Sequence, residues 1–240
     1  MATISVITAT LNCADVLPRL IDSLLRQTDP NFEWVVIDGV SSDQTLQIAK
    51  QAALGTKLIV SEPDFGIYHA LNKGIAASSG EYYLVVGADD LLSPTAIAEF
   101  RRAADLSNPD IVAASVDAFG RVIPANRGHR WARGGNALFS SHSVGTLIKR
   151  TLHAKFGNYS NEYVCAADMH FLLTAASDEE TRVVYAPFVA GHFSDKGLSS
   201  TNRLGSLSDA FRIQLRFGEN RLVQYVLYMC RVARALFLRR

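Results

Sequence analysis

Up to Leu106 the chain alternates short β-branched runs with stretches of helical spacing, and this alternation limits its possible folds more than any other feature. Ile4 to Ala9 (ISVITA), Trp34 to Asp38 (WVVID), Lys57 to Val60 and Tyr82 to Gly87 are apolar runs of strand length. Between them, Asp15 to Gln27, Asp43 to Leu54 and Ile67 to Ser78 carry apolar residues three and four apart. Nearly continuous apolar strands must be covered on both faces, and intervening amphipathic helices cover them when the strands lie parallel in one sheet. Sheets of this kind hold ligands outside the carboxyl ends of their strands. The polar residues that follow each strand are therefore the place to look for chemistry.

Past Leu106 the alternation weakens. A strand is predicted near Ile111 to Phe119, a loop rich in Gly, Arg and Trp from Asn126 to Asn136, a helix around Asn161 to Ser177 and a last strand near Arg182 to Val189. With no internal repeat and no low-complexity linker, residues 1–220 read as one domain whose second half, 107–220, completes the sheet begun by 1–106. The 240 residues suffice for such a core. Apolar residues make up 48% and charged residues 20%, against roughly 25% charged in an average globular protein, which argues against a disordered chain and against a highly charged nucleic-acid binder. Cys13, Cys165 and Cys230 are odd in number and widely spaced, so they form neither a disulfide framework nor a zinc site, and a reducing compartment is expected. A signal-peptide pattern is missing, and no run reaches the roughly 18 to 20 apolar residues of a spanning helix. The expected location is cytoplasmic.

Three polar segments follow strands. Asp38, ending VVID, can accept hydrogen bonds from a ribose or base, while Ser42 or Asp43 can cap the next helix. Asp89-Asp90 places two carboxylates side by side after an apolar strand, an arrangement that raises their pKa values unless a cation neutralises them. A divalent Mg²⁺ or Mn²⁺ holding a diphosphate is one resolution, and a turn with the cap of a helix near Ser93-Pro94 is the other. In Ser61 to Gly74, SEPDFGIYHALNKG, Asp64 is placed to face a nucleoside and Lys73 to face phosphates or solvent; Tyr68 reads as core.

Taken in order, TATLN, VVIDGVSSDQT and SEPDFGIYHALNKGIAASSGEYYLVVGADD resemble the nucleotide-sugar-binding half of family 2 glycosyltransferases, inverting enzymes with the GT-A fold. The likeness is strongest to the bacterial subgroup that builds exopolysaccharide, capsule or lipopolysaccharide units, with its motif of the type EPDxGIYDAMNKG. The resemblance implies an α/β, Rossmann-like domain with a mixed, mainly parallel sheet flanked by helices. It implies that Thr8, Thr10 and Asn12 face the nucleotide, that Asp38 binds the base and Asp64 the nucleoside, that Asp89 faces ribose or metal, and that Asp90 ligates Mn²⁺ or Mg²⁺. Two departures stand out. Gly39 occupies the place of a second acid, and Leu71 that of an arginine, which leaves phosphate to the metal and Lys73.

Inverting transfer requires a general base, and Glu162 to Phe171 resembles the family segment in which Asp168 takes that role, with an N-cap as its competing reading. His142 resembles a subgroup histidine that orients the acceptor or reaches a donor phosphate. Arg127, Arg130 and Trp131 lie in a loop suited to an anionic or sugar acceptor, or simply solvated. Gly197 to Ser200 resembles a Gly-Gly-x-Ser loop with Lys196 in place of the first glycine. The implied partners are a nucleotide-diphosphate sugar, UDP-linked ahead of GDP-linked, and a saccharide acceptor of lipid-linked type. A nucleotidyltransferase and a non-catalytic nucleotide-sugar-binding subunit of an assembly complex are the alternatives.

The net charge of +1 conceals two opposed parts. Five of the 24 basic residues lie in 221–240, where no acid occurs, leaving 19 against 23 acidic residues in 1–220. On a helix, Arg221, Gln224, Arg231, Arg234 and Arg239 fall within an arc of about 140° opposite a wide apolar face. The pattern fits a helix lying on an anionic membrane, and equally one whose apolar face docks on the body or on a second copy of the chain.

Overall fold

Four successive residues, Trp34-Val35-Val36-Ile37, are wholly buried. They lie in strand β2 (Glu33–Asp38), between β1 (Ile4–Thr10) and β3 (Thr56–Ser61), both parallel to it. Trp34 and Val36 point to one face and Val35 and Ile37 to the other, so both faces of the strand need cover. Helix α1 (Leu17–Leu25) supplies it on the first face with Leu17, Leu20, Ile21 and Leu24, and α3 (Ile67–Ala77) on the second with Tyr68, Leu71 and Ile75. Helix α2 (Thr45–Gln51) connects β2 to β3.

The computed structural model describes residues 1–125, 129–140, 142–194, 197 and 201–237. Among these, β4 (Tyr82–Val85) extends the parallel sheet beside β1, and β8 (Thr146–Lys149) then pairs antiparallel with both β4 and β6 (Ile111–Ala118). Strand β9 (Val183–His192) lies parallel to β6, with register shifts beyond Ala114, and carries the two-residue β5 (Leu91–Leu92) at its edge. The short β7 (Arg121–Ile123) hairpins onto β6. The order is β3-β2-β1-β4-β8-β6-β9-β5, parallel in the first half and mixed in the second. Helix α4 (Ala96–Ser107) packs with α1 on one face; α5 (Arg130–Arg133), α6 (Leu152–Phe156) and α7 (Ala167–Ala176) belong to the second half. The predicted helix from Asn161 starts six residues late, because Tyr163 turns inward and Glu162 and Val164 remain exposed before the first helical turn.

Two long helices close the chain, α8 (Arg203–Arg216) and α9 (Arg221–Phe237). Phe211 stacks on Tyr228 and meets Tyr225 edge-on, joining them. The sequence offers docking of the apolar face of α9 on the body; the structure docks the opposite face. Gln224 and Ala235 are buried, Gln224 Nε2 donates to the Trp131 carbonyl at 2.7 Å and Arg231 donates to the Ala132 carbonyl.

A buried ion pair ties the chain start to α4. Arg101 Nε donates to Asp29 at 2.6 Å, and its terminal nitrogens reach the carbonyls of Ala2 and Asn31. Burial would raise the Asp29 pKa, but the Arg101 and Asn31 hydrogen bonds hold it below the usual range. Arg101→Met leaves this carboxylate and two carbonyls without their donor, and a loss of about 3 kcal/mol in urea unfolding is expected. An unchanged midpoint would show that the pair contributes nothing.

Candidate active site

The ends of β1, β2 and β3 meet at Asp38, which is completely buried. Its carboxylate accepts from Thr10 Oγ1 at 3.1 Å, Ser61 Oγ at 2.8 Å, the Ser41 N–H at 3.0 Å and the Ser41 hydroxyl. Burial pushes its pKa up, and the Ser41 and Ser61 donors more than offset that, so the group stays below the usual carboxylate range. Both oxygens are thus occupied by protein donors. In this arrangement Asp38 organises the loop. Thr8 departs from its expected role: it is buried and accepts from Trp34 Nε1 at 3.1 Å, within the core. Thr10 is likewise buried and turned to Asp38.

Asn12 crosses between the loops that follow β1 and β2. Its side-chain oxygen accepts from Ser42 N–H at 2.8 Å and from the Ser42 hydroxyl at 3.2 Å, while its own N–H donates to Ser41 Oγ at 2.9 Å. Its φ of 48° lies in the left-handed region that Asn tolerates. Val40 has a φ of 61°, an outlier for a β-branched residue. Its neighbours hold it there, Gly39 N–H bonded to the Thr10 carbonyl and Ser41 N–H to Asp38. Asp43 does not cap α2, whose N-cap is Gln44; it accepts from Thr45 N–H and Ala14 N–H and ties α2 to the β1 loop.

Asp64 reaches this cluster from the loop before α3. Its Oδ1 accepts from Gly66 N–H at 2.8 Å, in a turn where Gly66 adopts a φ of 121° that favours glycine. A Cβ on Gly39 would lie 2.6 Å from Asp64 Oδ2. The glycine that replaces a second acid therefore makes room for a carboxylate arriving from residue 64. Exposed Leu11, Val40 and Phe65 are the apolar side chains of these same loops, and Phe65 stacks on His69 at 4.9 Å. Lys73 is paired with Glu62 at 2.8 Å and donates to the Pro63 carbonyl at 2.8 Å. Its charge braces the loop that carries Asp64.

The acid pair follows β4. Asp90 is 2% exposed, with Gly87 N–H on Oδ2 at 3.0 Å and Ser194 N–H on Oδ1 at 3.2 Å. Its role as the cap of α4 is excluded, since Thr95 is the N-cap. Burial raises the pKa of Asp90, His142 opposes the rise and Asp89 adds to it. His142 Nδ1 stands 3.6 Å from Asp90 Oδ2, beyond hydrogen-bond length, and its ring stacks on Phe193 at 4.7 Å and 2°. Asp89 Oδ2 is buried with no hydrogen-bond partner, and a Cβ on Gly197 would come within 3.9 Å of it. Lys196 and Leu198 to Ser200 lie outside the described residues, as does Arg127.

An orphaned carboxylate oxygen beside a second buried carboxylate offers hard oxygen donors of the kind that Mg²⁺ or Mn²⁺ takes. Among the described residues no three His, Cys, Asp or Glu side chains form a complete protein cage. That fits an ion held by one or two carboxylates and completed by substrate phosphates. The residues present fit the metal the sequence implies.

Asp168 lies in the first turn of α7, not at its N-cap, which is Ala166. Its Oδ1 accepts the Tyr68 hydroxyl at 2.7 Å. Burial, then the charge of Asp168, keeps the phenol far above its usual pKa, so it remains a donor. Tyr68 is core, as expected, and it also links Asp168 to the helix that follows Asp64. Sequence spacing alone gives no sign of that contact across 100 residues. His170 packs between Tyr163 and Phe217. Trp131 is half-exposed at the foot of α9, and the side chain of Arg130 lies outside the described residues. A further pair not anticipated is Asp117 with His192, 3.5 Å apart where β6 and β9 end, with Phe193 N–H bonded to the Asp117 carbonyl.

A family model described as "Glycosyl transferase family 2" matches residues 5–171, the span from Thr8 through Asp168. A "PGL/p-HBAD biosynthesis glycosyltransferase" of Mycobacterium bovis is 34% identical over 210 residues, covering 82% of this chain and 79% of the relative. Among solved structures, S. aureus TarS 1–349 in complex with UDP-GlcNAc has a TM-score of 0.72 at 18% identity, covering 98% of this chain and 73% of that one. The mannosyltransferase PcManGT from Pyrobaculum calidifontis in complex with GDP-Man and Mn²⁺ has a TM-score of 0.70 at 20% identity, covering 98% and 70%.

Asn12→Ala removes the acceptor for Ser42 and puts alanine at a left-handed φ. A loss of about 2 kcal/mol is expected in denaturant unfolding, shared between hydrogen bonding and backbone strain. A change below about 0.5 kcal/mol would mean that the two loops hold without this tie.

Proposed function

The chain belongs to glycosyl transferase family 2 and has the GT-A fold, and from this premise we propose that it transfers one sugar, with inversion, from a nucleotide-diphosphate sugar to a saccharide acceptor. The observation that carries the reading is Asp89 Oδ2, buried without a partner beside Asp90 and His142. Such a carboxylate is costly alone and is stabilised by a cation that a donor diphosphate brings or shares. A bound divalent ion would supply neutralisation of the departing diphosphate. The complexes of TarS with UDP-GlcNAc and of PcManGT with GDP-Man and Mn²⁺ support this class of donor.

The remaining roles fall to the chain itself. Asp64, over Gly39, takes the nucleoside, with Leu11, Val40 and Phe65 offering apolar surface to the base. Asp38, Thr10 and Asn12 fix the loops on which that surface depends. Asp168 accepts the proton of the acceptor hydroxyl as its oxygen bonds to the anomeric carbon. The carbon–oxygen bond to the diphosphate breaks on the opposite face, and its electron pair leaves with the phosphate. Tyr68, donating to Asp168 Oδ1, orients this carboxylate and leaves Oδ2 for the acceptor. We assign His142 to phosphate or acceptor and, as the sequence suggests, Arg130 and Trp131 to the acceptor. We assign the donor as UDP-linked ahead of GDP-linked and the acceptor as a lipid-linked precursor of an exopolysaccharide or lipopolysaccharide, met at the cytoplasmic face of a membrane.

Asp168→Asn is expected to lower kcat by about 10²–10⁴ while donor Kd stays within twofold. Turnover near that of the unaltered protein would remove Asp168 as the base. Gly39→Ala is expected to displace Asp64 and weaken donor binding with little change in stability. In a thermal-shift series of UDP, GDP, CDP and dTDP sugars with Mn²⁺, the UDP sugars should raise Tm most, and EDTA should abolish the shift. A shift and an activity indifferent to EDTA would exclude the metal.

A further inference from the structure

Helix α9 is amphipathic in the reverse sense to an ordinary surface helix. At 100° per residue, Leu222, Tyr225, Val226, Met229, Leu236 and Phe237 fill an arc of about 120°. All six are more than half exposed, Leu222 at 79% and Phe237 at 82%. Buried Gln224 and Ala235, with Arg231, occupy the opposite side and dock on the α5 carbonyls. Arg221 and Arg234 lie beyond the two edges of the apolar arc, one on each side. A 17-residue helix held to its domain by its polar face, with this apolar face outward between two arginines, needs a partner for that face.

We infer that this face is a docking surface for an anionic lipid bilayer, with α9 lying in the interface plane. Charge decides between a bilayer and a second copy of the chain. A self-complementary contact sets the same patch against itself, and 221–240 holds five arginines and no acid. The adjoining α8 adds Arg203, Arg212 and Arg216, and its one acid, Asp209, is buried, accepting from Cys165 N–H and near Arg212. Arg212 and Arg216 already have carboxylates within the chain, Asp209 at 3.7 Å and Glu162 at 3.3 Å, so the unanswered charge is that of α9. Two copies set face to face would bring the α9 arginines together with no acid between them on the helix, whereas anionic headgroups supply the countercharge while acyl chains receive the apolar arc. No described helix is long and apolar enough to cross a membrane, so the contact is peripheral. The docking is also continuous with the site. Gln214 of α8 and Gln224 of α9 both donate to the Trp131 carbonyl, and Asp209 holds Cys165, three residues ahead of Asp168. A bilayer held by α9 is therefore tied, through α8 and the Trp131 carbonyl, to the half of the chain that carries Asp168.

This inference goes beyond the proposed reaction and is tested without donor or acceptor. The full chain is floated with vesicles of phosphatidylcholine, alone or with about one-third phosphatidylglycerol, at low and high salt. Binding to the anionic vesicles alone, weakened by salt, is expected. Val226→Glu with Met229→Glu, at exposed positions that leave circular dichroism and Tm unchanged, should weaken binding by about tenfold or more. Arg221→Glu with Arg234→Glu should abolish the preference for anionic lipid. The inference is overturned if the unaltered chain fails to float with either vesicle or if both double variants float like it. It is equally overturned if sedimentation reveals a dimer that the Val226/Met229 variant dissolves, which would assign the face to a second copy.

Discussion

The structure of the site depends on one buried carboxylate. Asp38 ends β2 with no exposure, and its partners come from three successive strand ends: Thr10 from β1, Ser41 from the loop after β2 and Ser61 from β3. A buried charge of this kind is tolerated only when every lone pair is answered. Satisfying it fixes the relative positions of three loops that would otherwise end independently. The left-handed Asn12 and the strained Val40 persist because those loops are held from both sides. Asp64, Gly39 and the exposed apolar residues around them are then set where a nucleoside can meet them.

The two acidic centres use burial for opposite ends. At Asp38, donors outnumber the desolvation cost and the charge is structural. At Asp89-Asp90 the donors are two backbone N–H groups on Asp90 alone, Asp89 Oδ2 has none, and the Asp90 pKa rises with burial. The first centre is complete and the second is short of positive charge. A sequence in which both appear as acids after strands does not distinguish them, because the difference lies in which hydroxyls converge from elsewhere.

The first half of the fold was legible in the sequence because strand burial on both faces writes itself as continuous apolar runs. WVVID and YYLV are examples, and the helices between them keep a regular apolar spacing. The second half was less legible. Strand β8 arrives antiparallel between β4 and β6, a pairing set by long-range contacts with no local signature. At the site, the acids after the strands stand out in the sequence, but Thr8 was not readable as a core partner of Trp34, since a buried threonine and a ligand-facing one look alike along the chain. The pairings of Lys73 with Glu62 and of Tyr68 with Asp168 needed three dimensions. For α9 the amphipathic pattern was plain, yet its direction was not. Periodicity shows that a helix has two faces, and only the Trp131 and Ala132 carbonyls show that the polar one is turned inward.

That inversion follows from what the body offers α9. The four-residue α5 beneath it is too short to pair its own last carbonyls within the helix, and a carbonyl covered without a donor is costly. Gln224 and Arg231 answer that demand, and the apolar residues are left on the outside as a consequence. The charge distribution then orients the molecule. Residues 1–220 carry 23 acids against 19 basic residues, and 221–240 carry only arginines, so an anionic surface attracts the tail and repels the body. Contact through α9 would hold the acidic body away from the bilayer, with the inward face of the helix still seated on the Trp131 and Ala132 carbonyls.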